Sequence, residues 1–250
     1  MEKKKNDFIA QGSILAIASI LVRVMGMIYR IPMTAIIGDK GNGFYSYAYS
    51  VYTILLLLSS YSLPLAVSKM VSAKAQLGQW RNVKRVFICA IAFAIGIGTT
   101  FGLIVLIGAQ FFTRVFFHSE LAAIALRFMA PTILIMALLG VFRGFFQGLQ
   151  NTLPTAVSQI VEGLINAIMS VVFAYFLFDF GHGMDVVSGT TDLGYAWGAA
   201  GGAIGTGAGA LAGLIFCFIL FVAYRKILAV NISRDKTGTQ QEYGDIFRLM

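Results

Sequence analysis

Apolar residues run almost without a break from Phe8 to Gly38, and the only charges inside that run are Arg23 and Arg30. Uncharged stretches then follow at Gly41–Ser68, Val86–Thr113, Phe128–Phe142, Gly144–Val161 and Leu193–Tyr224. A helix needs about 20 apolar residues to cross the hydrocarbon core, and several of these stretches reach that length. Residues 121–144 and 154–178 also count as spans, although Arg127 and Glu162 interrupt them, because each charge sits in an otherwise apolar helix. The pattern predicts six helices, near 10–37, 44–68, 86–112, 121–144, 154–178 and 194–224. Alternating ten-residue strands, the signature of a membrane barrel, are not seen. The predicted fold is an all-α membrane protein, a six-transmembrane-helix bundle.

Composition agrees: 58% of the 250 residues are hydrophobic, 12% are charged, and the mean hydropathy is +0.80, outside the range of soluble domains. Lys and Arg divide unevenly between the connections. One side collects Lys3, Lys4, Lys5, Lys69, Lys74, Arg81, Lys84, Arg85, Arg143, Arg225, Lys226, Arg234 and Lys236, whereas the other holds only Lys40 and Arg114 with several acids. By the positive-inside rule both termini are expected in the cytoplasm of a multi-pass cell-membrane protein. This bias, together with anionic membrane lipids, accounts for the net charge of +8, and no nucleic-acid partner is needed. The first apolar run is too long for a cleaved signal peptide and lacks a small-residue cleavage site. Cys89 and Cys217 each stand alone in a predicted helix, and His118 and His182 have no ligand spacing, so no cofactor or metal is expected.

Polar residues inside the spans are where function is sought. In the fifth helix Ser158, Glu162, Asn166 and Ser170 recur every four residues, with Gln159 beside them, and so share one face. Such a stripe is either a hydrogen-bonded seam between helices or the wall of a wet cavity. In the sixth helix Gly201, Gly205, Gly209 and Gly213 have the same spacing, which suits close helix packing or a sliding surface. Tyr45, Tyr49 and Tyr52 line one face of the second helix, as an interfacial belt or as a contact for sugar or lipid. Arg23 lies about 16 Å from the inner boundary, Glu162 about 12 Å and Asn166 about 18 Å, so Arg23 is expected to rest against one of them at mid-membrane. An arginine there costs about 2.5–3.5 kcal/mol on insertion scales, which favours a cavity or a buried ion pair over lipid. Arg30, about 27 Å up, could also snorkel to headgroups.

Two stretches carry a resemblance: "LVRVMGMIYRIPMTAIIGDKGNGFYSYAYSVYTILLLLSSYSLPLAVSKMVS" and "FRGFFQGLQNTLPTAVSQIVEGLINAIMS". Together they resemble the MOP exporter superfamily, in particular its polysaccharide-transporter branch with the stage V sporulation protein B family and, more distantly, the lipid II flippases. The resemblance covers nearly the whole chain. It implies a flippase that moves a polyprenyl-diphosphate-linked oligosaccharide or peptidoglycan precursor by alternating access, with Arg23, Arg30, Glu162, Asn166, Gln159 and Ser158 as substrate-binding residues. It also implies that residues 1–224 are the N-terminal lobe of a MOP-type transporter. Residues 225–250 are then a cytoplasmic linker, with "EYGDIFRLM" approaching a second lobe, as in a fragment or an interrupted reading frame. Its partners would be a lipid-linked anionic glycan, membrane lipids, and either the missing C-terminal lobe or a second copy of itself.

Other classes remain in view. A cation-coupled multidrug exporter of the same superfamily wants acids where this chain has arginines. A lone lobe could act as a non-transporting membrane scaffold. An enzyme acting on polyprenyl phosphates needs paired carboxylates, a placed His or a metal cluster, and none is found in the sequence.

Overall fold

The computed structural model describes residues 2–248, with side chains from Gly12 onward. Seven helices make up the described chain: α1 (Glu2–Ser60), α2 (Leu63–Gln76), α3 (Trp80–Phe117), α4 (Ala122–Gly148), α5 (Leu153–Ser188), α6 (Leu193–Ser233) and α7 (Tyr243–Arg248). Five helical stretches among the described residues, beginning with 12–76, are long and apolar enough to cross a membrane. The first of them bends into two arms that line one cavity. At Gly38 the backbone leaves the helix with φ 63° and ψ −177°, a left-handed φ that a residue with a Cβ adopts only with strain. Met33 and Tyr45, on opposite sides of that kink, both pack against Gly202 of α6, so the chain doubles back on itself. The protein is an all-α, multi-pass membrane bundle.

The helix ends differ from the expected ones for local reasons. The expected span 44–68 divides at Tyr61 and Ser62, because Pro64 lacks an N–H and occupies the first turn of α2. Arg143, expected in a connection, is inside α4, which continues to Gly148. The sixth helix runs nine residues past the expected end at 224, to Ser233. The side chains of Lys3, Lys4 and Lys5 lie outside the described residues, as do Leu249 and Met250 at the end of the expected approach to a further helix.

Small residues set the spacing between helices. A Cβ on Gly144 would stand 2.5 Å from the Pro64 carbonyl oxygen, and one on Gly148 would stand 2.8 Å from that of Ser68, so the glycines of "RGFFQG" seat α4 on α2. The glycine stripe of α6 lies on the polar stripe of α5, Gly213 by Ser158, Gly209 by Glu162 and Asn166, and Gly205 by Ser170. Between apolar helices in lipid, such close packing replaces the hydrophobic drive. At one end Phe87 stacks on Phe221 at 4.5 Å and packs against Phe142 and Phe145, joining α3, α4 and α6. At the other, Asp185 accepts hydrogen bonds from the backbone N–H groups of Leu193 (3.0 Å) and Gly194 (2.8 Å), which α6 could not otherwise satisfy at its first turn. Lys40 pairs with Asp192 at 2.8 Å beside the Gly38 bend.

The segment after α6 is held in place rather than loose. Asp235 accepts from the Arg81 N–H at 3.0 Å and so caps the start of α3 from outside its own sequence neighbourhood. Asn82 donates to the Thr239 carbonyl and accepts from the Gln241 N–H, Arg85 donates to the Gln240 side chain at 2.8 Å, and Ile246 is fully buried. The Arg81 N–H, then the Thr237 hydroxyl and N–H, hold the Asp235 carboxyl down at about 2, against an ordinary 3.8. A group lowered on folding stabilises the fold above its unfolded value and loses that contribution as pH falls through its folded value. The strap is therefore expected to stay docked down to about pH 4 and to release between about 4 and 2. Asp235→Ala should release it at neutral pH, read as faster hydrogen exchange at the Thr237 and Gln241 amides. Protection unchanged in that variant would show that Asn82 and Arg85 suffice.

Candidate functional site

Both arms of the bent α1 face a cavity of about 590 Å³. Arg23, Tyr29 and Arg30 come from the first arm, Tyr49 and Tyr52 from the second, Glu162 and Asn166 from α5, and Thr206 from α6. Periodicity explains the choice: Arg23 and Arg30, seven residues apart, are nearly two full turns apart and share a face. Gly163 lets the first arm come close, since a Cβ there would meet Val22 at 3.2 Å and Met25 at 3.1 Å, and this places Arg23 level with Glu162.

The ion pairing departs from expectation. Glu162 is held by Arg143, whose Nη2 donates to Oε2 at 2.7 Å, and not by Arg23. The same guanidinium donates from Nε to the Ser158 hydroxyl at 2.8 Å, and Ser158 in turn donates to the Thr155 carbonyl. Asn166 is likewise taken, accepting from the Ser170 hydroxyl at 2.8 Å. Arg143 lies in the last turns of α4, beside the start of α5, where its guanidinium reaches both Ser158 and Glu162. Arg23 and Arg30 are exposed to the cavity and have no hydrogen-bond or ion-pair partner among the described residues.

The six residues expected at the site therefore separate. Arg23, Arg30, Glu162 and Asn166 line the cavity. Ser158 is buried below it, in the seam with α4 and α6, and Gln159 accepts from Ser19 of α1 at 3.4 Å outside the lining. Both readings of the polar stripe thus apply, with Ser158 and Ser170 in the seam and Glu162 and Asn166 at the wall. The tyrosines do not form an interfacial belt. Tyr45 and Tyr52 are buried, Tyr45 meets the Thr206 hydroxyl at 3.2 Å, and Tyr49 lies between them, stacked on Tyr45 at 5.8 Å and tilted against Tyr52 at 5.9 Å. Arg143 is the residue that sequence reasoning missed. Its signal was Gly140, Gly144 and Gly148 at four-residue spacing, a close-packing face that frames the arginine.

Among the described residues no three His, Cys, Asp or Glu side chains gather as a metal site. What the cavity holds is fixed positive charge. With Glu162 neutralised by Arg143, the two arginines of α1 remain uncompensated on a wall of tyrosine and amide groups, an arrangement suited to an anion bearing planar or multiple oxygens.

A bundle of long apolar helices built round a cavity that carries two uncompensated arginines defines a multi-pass membrane protein. The chain belongs to the polysaccharide biosynthesis protein family, whose profile matches residues 8–239. It is 26% identical over 240 residues to the stage V sporulation protein B of Bacillus subtilis (strain 168), covering 94% of this chain and 43% of that protein. It is 26% identical over 200 residues to the lipid II flippase MurJ of the same organism, covering 76% of this chain and 37% of the flippase. A third relative from that organism, the uncharacterized membrane protein YabM, is 27% identical over 174 residues. The chain thus spans less than half the length of these curated relatives.

Proposed function

We propose that this chain forms one lobe of a flippase for polyprenyl-diphosphate-linked glycans or peptidoglycan precursors, with Arg23 and Arg30 receiving the diphosphate. The observation that carries this reading is that neither has an anionic partner among the described residues, where the one acid on the cavity wall already holds Arg143. A multidrug exporter driven by cations would want that acid free. The name of the MurJ relative, a lipid II flippase, points to the same cargo class. In this reading the cavity is one wall of a path completed by a second lobe, and rigid-body rocking of the two alternates access. The Arg81 end of the bundle then faces the cytoplasm.

Binding tests the cargo. The chain in nanodiscs should bind farnesyl diphosphate but not farnesol. Arg23→Gln removes charge-assisted hydrogen bonds of about 2 kcal/mol, so affinity should fall roughly thirtyfold. Arg23→Lys keeps the charge, loses the planar fork and should fall between. Equal binding of the alcohol and the diphosphate would end this reading. Orientation is tested by thiol labelling against a quiet background, because Cys89 and Cys217 are buried. Ser188→Cys should react with an impermeant reagent added outside cells and Ser233→Cys should not; the reverse result would invert the topology.

A further inference from the structure

We infer that Glu162 is a built-in stand-in for the cargo's anionic group, occupying Arg143 while the cavity is empty and yielding it when a diphosphate enters, so that Arg143 is a third cargo-binding guanidinium. This rests on the proposed cargo and adds to it a residue that does not line the empty cavity. Three observations support it.

First, Glu162 stands on the cavity wall, and the Arg143 Nη2 is 2.7 Å behind its carboxylate. Whatever displaces that carboxylate arrives within reach of Arg143. Second, a guanidinium has five N–H donors, and the structure uses two of them, at Nε and Nη2. The Nη1 group has no partner among the described residues, yet the only sealed, unpartnered side-chain atom there is the Gln241 Oε1. Nη1 is therefore not fully sealed and keeps its N–H donors free for another ligand. Third, Ser158 holds Nε from a fully buried position, so the guanidinium keeps its place when the carboxylate leaves.

Carboxylate and phosphate oxygens present the same geometry to an arginine fork, and exchanging one for the other leaves the guanidinium solvated by charge throughout. Arg23 and Arg30 on the cavity wall, with Arg143 behind it, face one Glu162, a formal net charge of +2. Neutralising Glu162 raises it to +3 and removes the competitor. Other groups near the carboxylate are the hydroxyl of Tyr52 and the amide of Asn166, neither of which supplies a countercharge at neutral pH.

Farnesyl diphosphate binding to the purified chain in nanodiscs, at fixed salt, tests the exchange. Glu162→Gln should bind about tenfold more tightly than the unmodified chain, the effect of roughly one uncompensated charge contact. Glu162→Asp, whose shorter arm loosens the hold on Arg143, should fall between the two, and it provides the reading if the glutamine variant fails to fold. In the Glu162→Gln background, Arg23→Gln should lose less affinity than it does alone, because Arg143 takes over part of the contact. Tighter binding in these variants supports the stand-in. Unchanged or weaker binding in both, with the unmodified chain binding normally, overturns it and leaves Arg143–Glu162 as a packing staple. Failure of the unmodified chain and both variants to bind would overturn the cargo assignment as well.

Discussion

Gly205→Ala is expected to prevent stable folding of the bundle. A Cβ at Gly205 would stand 2.2 Å from the Ser170 hydroxyl, 2.3 Å from its backbone nitrogen and 2.4 Å from its Cα. Two of those atoms are backbone and cannot rotate away, so α5 and α6 must separate by about 1 Å or more to restore van der Waals distance. The separation does not stay local. Gly201 and Gly209, one turn to either side, approach α5 at 2.4 and 2.5 Å by the same measure, and the Ser170 hydroxyl oxygen stands 3.2 Å from the Gly202 carbonyl across the seam. Overpacking usually costs about 1–3 kcal/mol, and a contact between two backbones belongs at the top of that range or above it. Gly183→Ala, which meets nothing within 4 Å, is the control and should be nearly neutral. Thermal unfolding in detergent would read both, and equal midpoints would show that the seam tolerates a wider spacing.

Removing Arg143 should have the second largest effect. Arg143→Met leaves Glu162 without its paired guanidinium and Ser158 without its donor. Breaking a buried ion pair from one side costs about 3–5 kcal/mol. The Glu162 side chain is 25% exposed, so water from the cavity softens the loss, and about 2 kcal/mol is expected. Arg143→Met with Glu162→Leu should recover most of that stability, since two apolar side chains strand no charge. A double-mutant cycle checks this. Additive losses would mean that the pair is not coupled.

The apolar helices were legible because a membrane imposes long apolar runs. The bend within α1 was legible as a boundary near 38, but its geometry depends on one glycine torsion that no pattern of hydropathy encodes. The docked strap was not legible. "NISRDKTGTQQ" has the composition of a linker, and its order comes from Asn82 and Arg85, which are about 155 residues away in the chain. The cavity was half legible. Spacing put Arg23 with Arg30 and Glu162 with Asn166, but which arginine meets Glu162 depended on how α4 packs beside α5, which spacing along either helix does not encode.

The bend at Gly38 also sets a mechanical scale. The two walls of the cavity that bear Arg23 and Tyr52 belong to one chain segment joined at one residue, and Arg23 stands 15 residues, about 22 Å, from that joint. A lever of that length turned by roughly 10° displaces its far end by about 4 Å, comparable to the width of a phosphate group. The gape of the cavity is thus geared to two torsion angles of a residue with no side chain, and small rotations at the tip of the hairpin are magnified where the arginines sit.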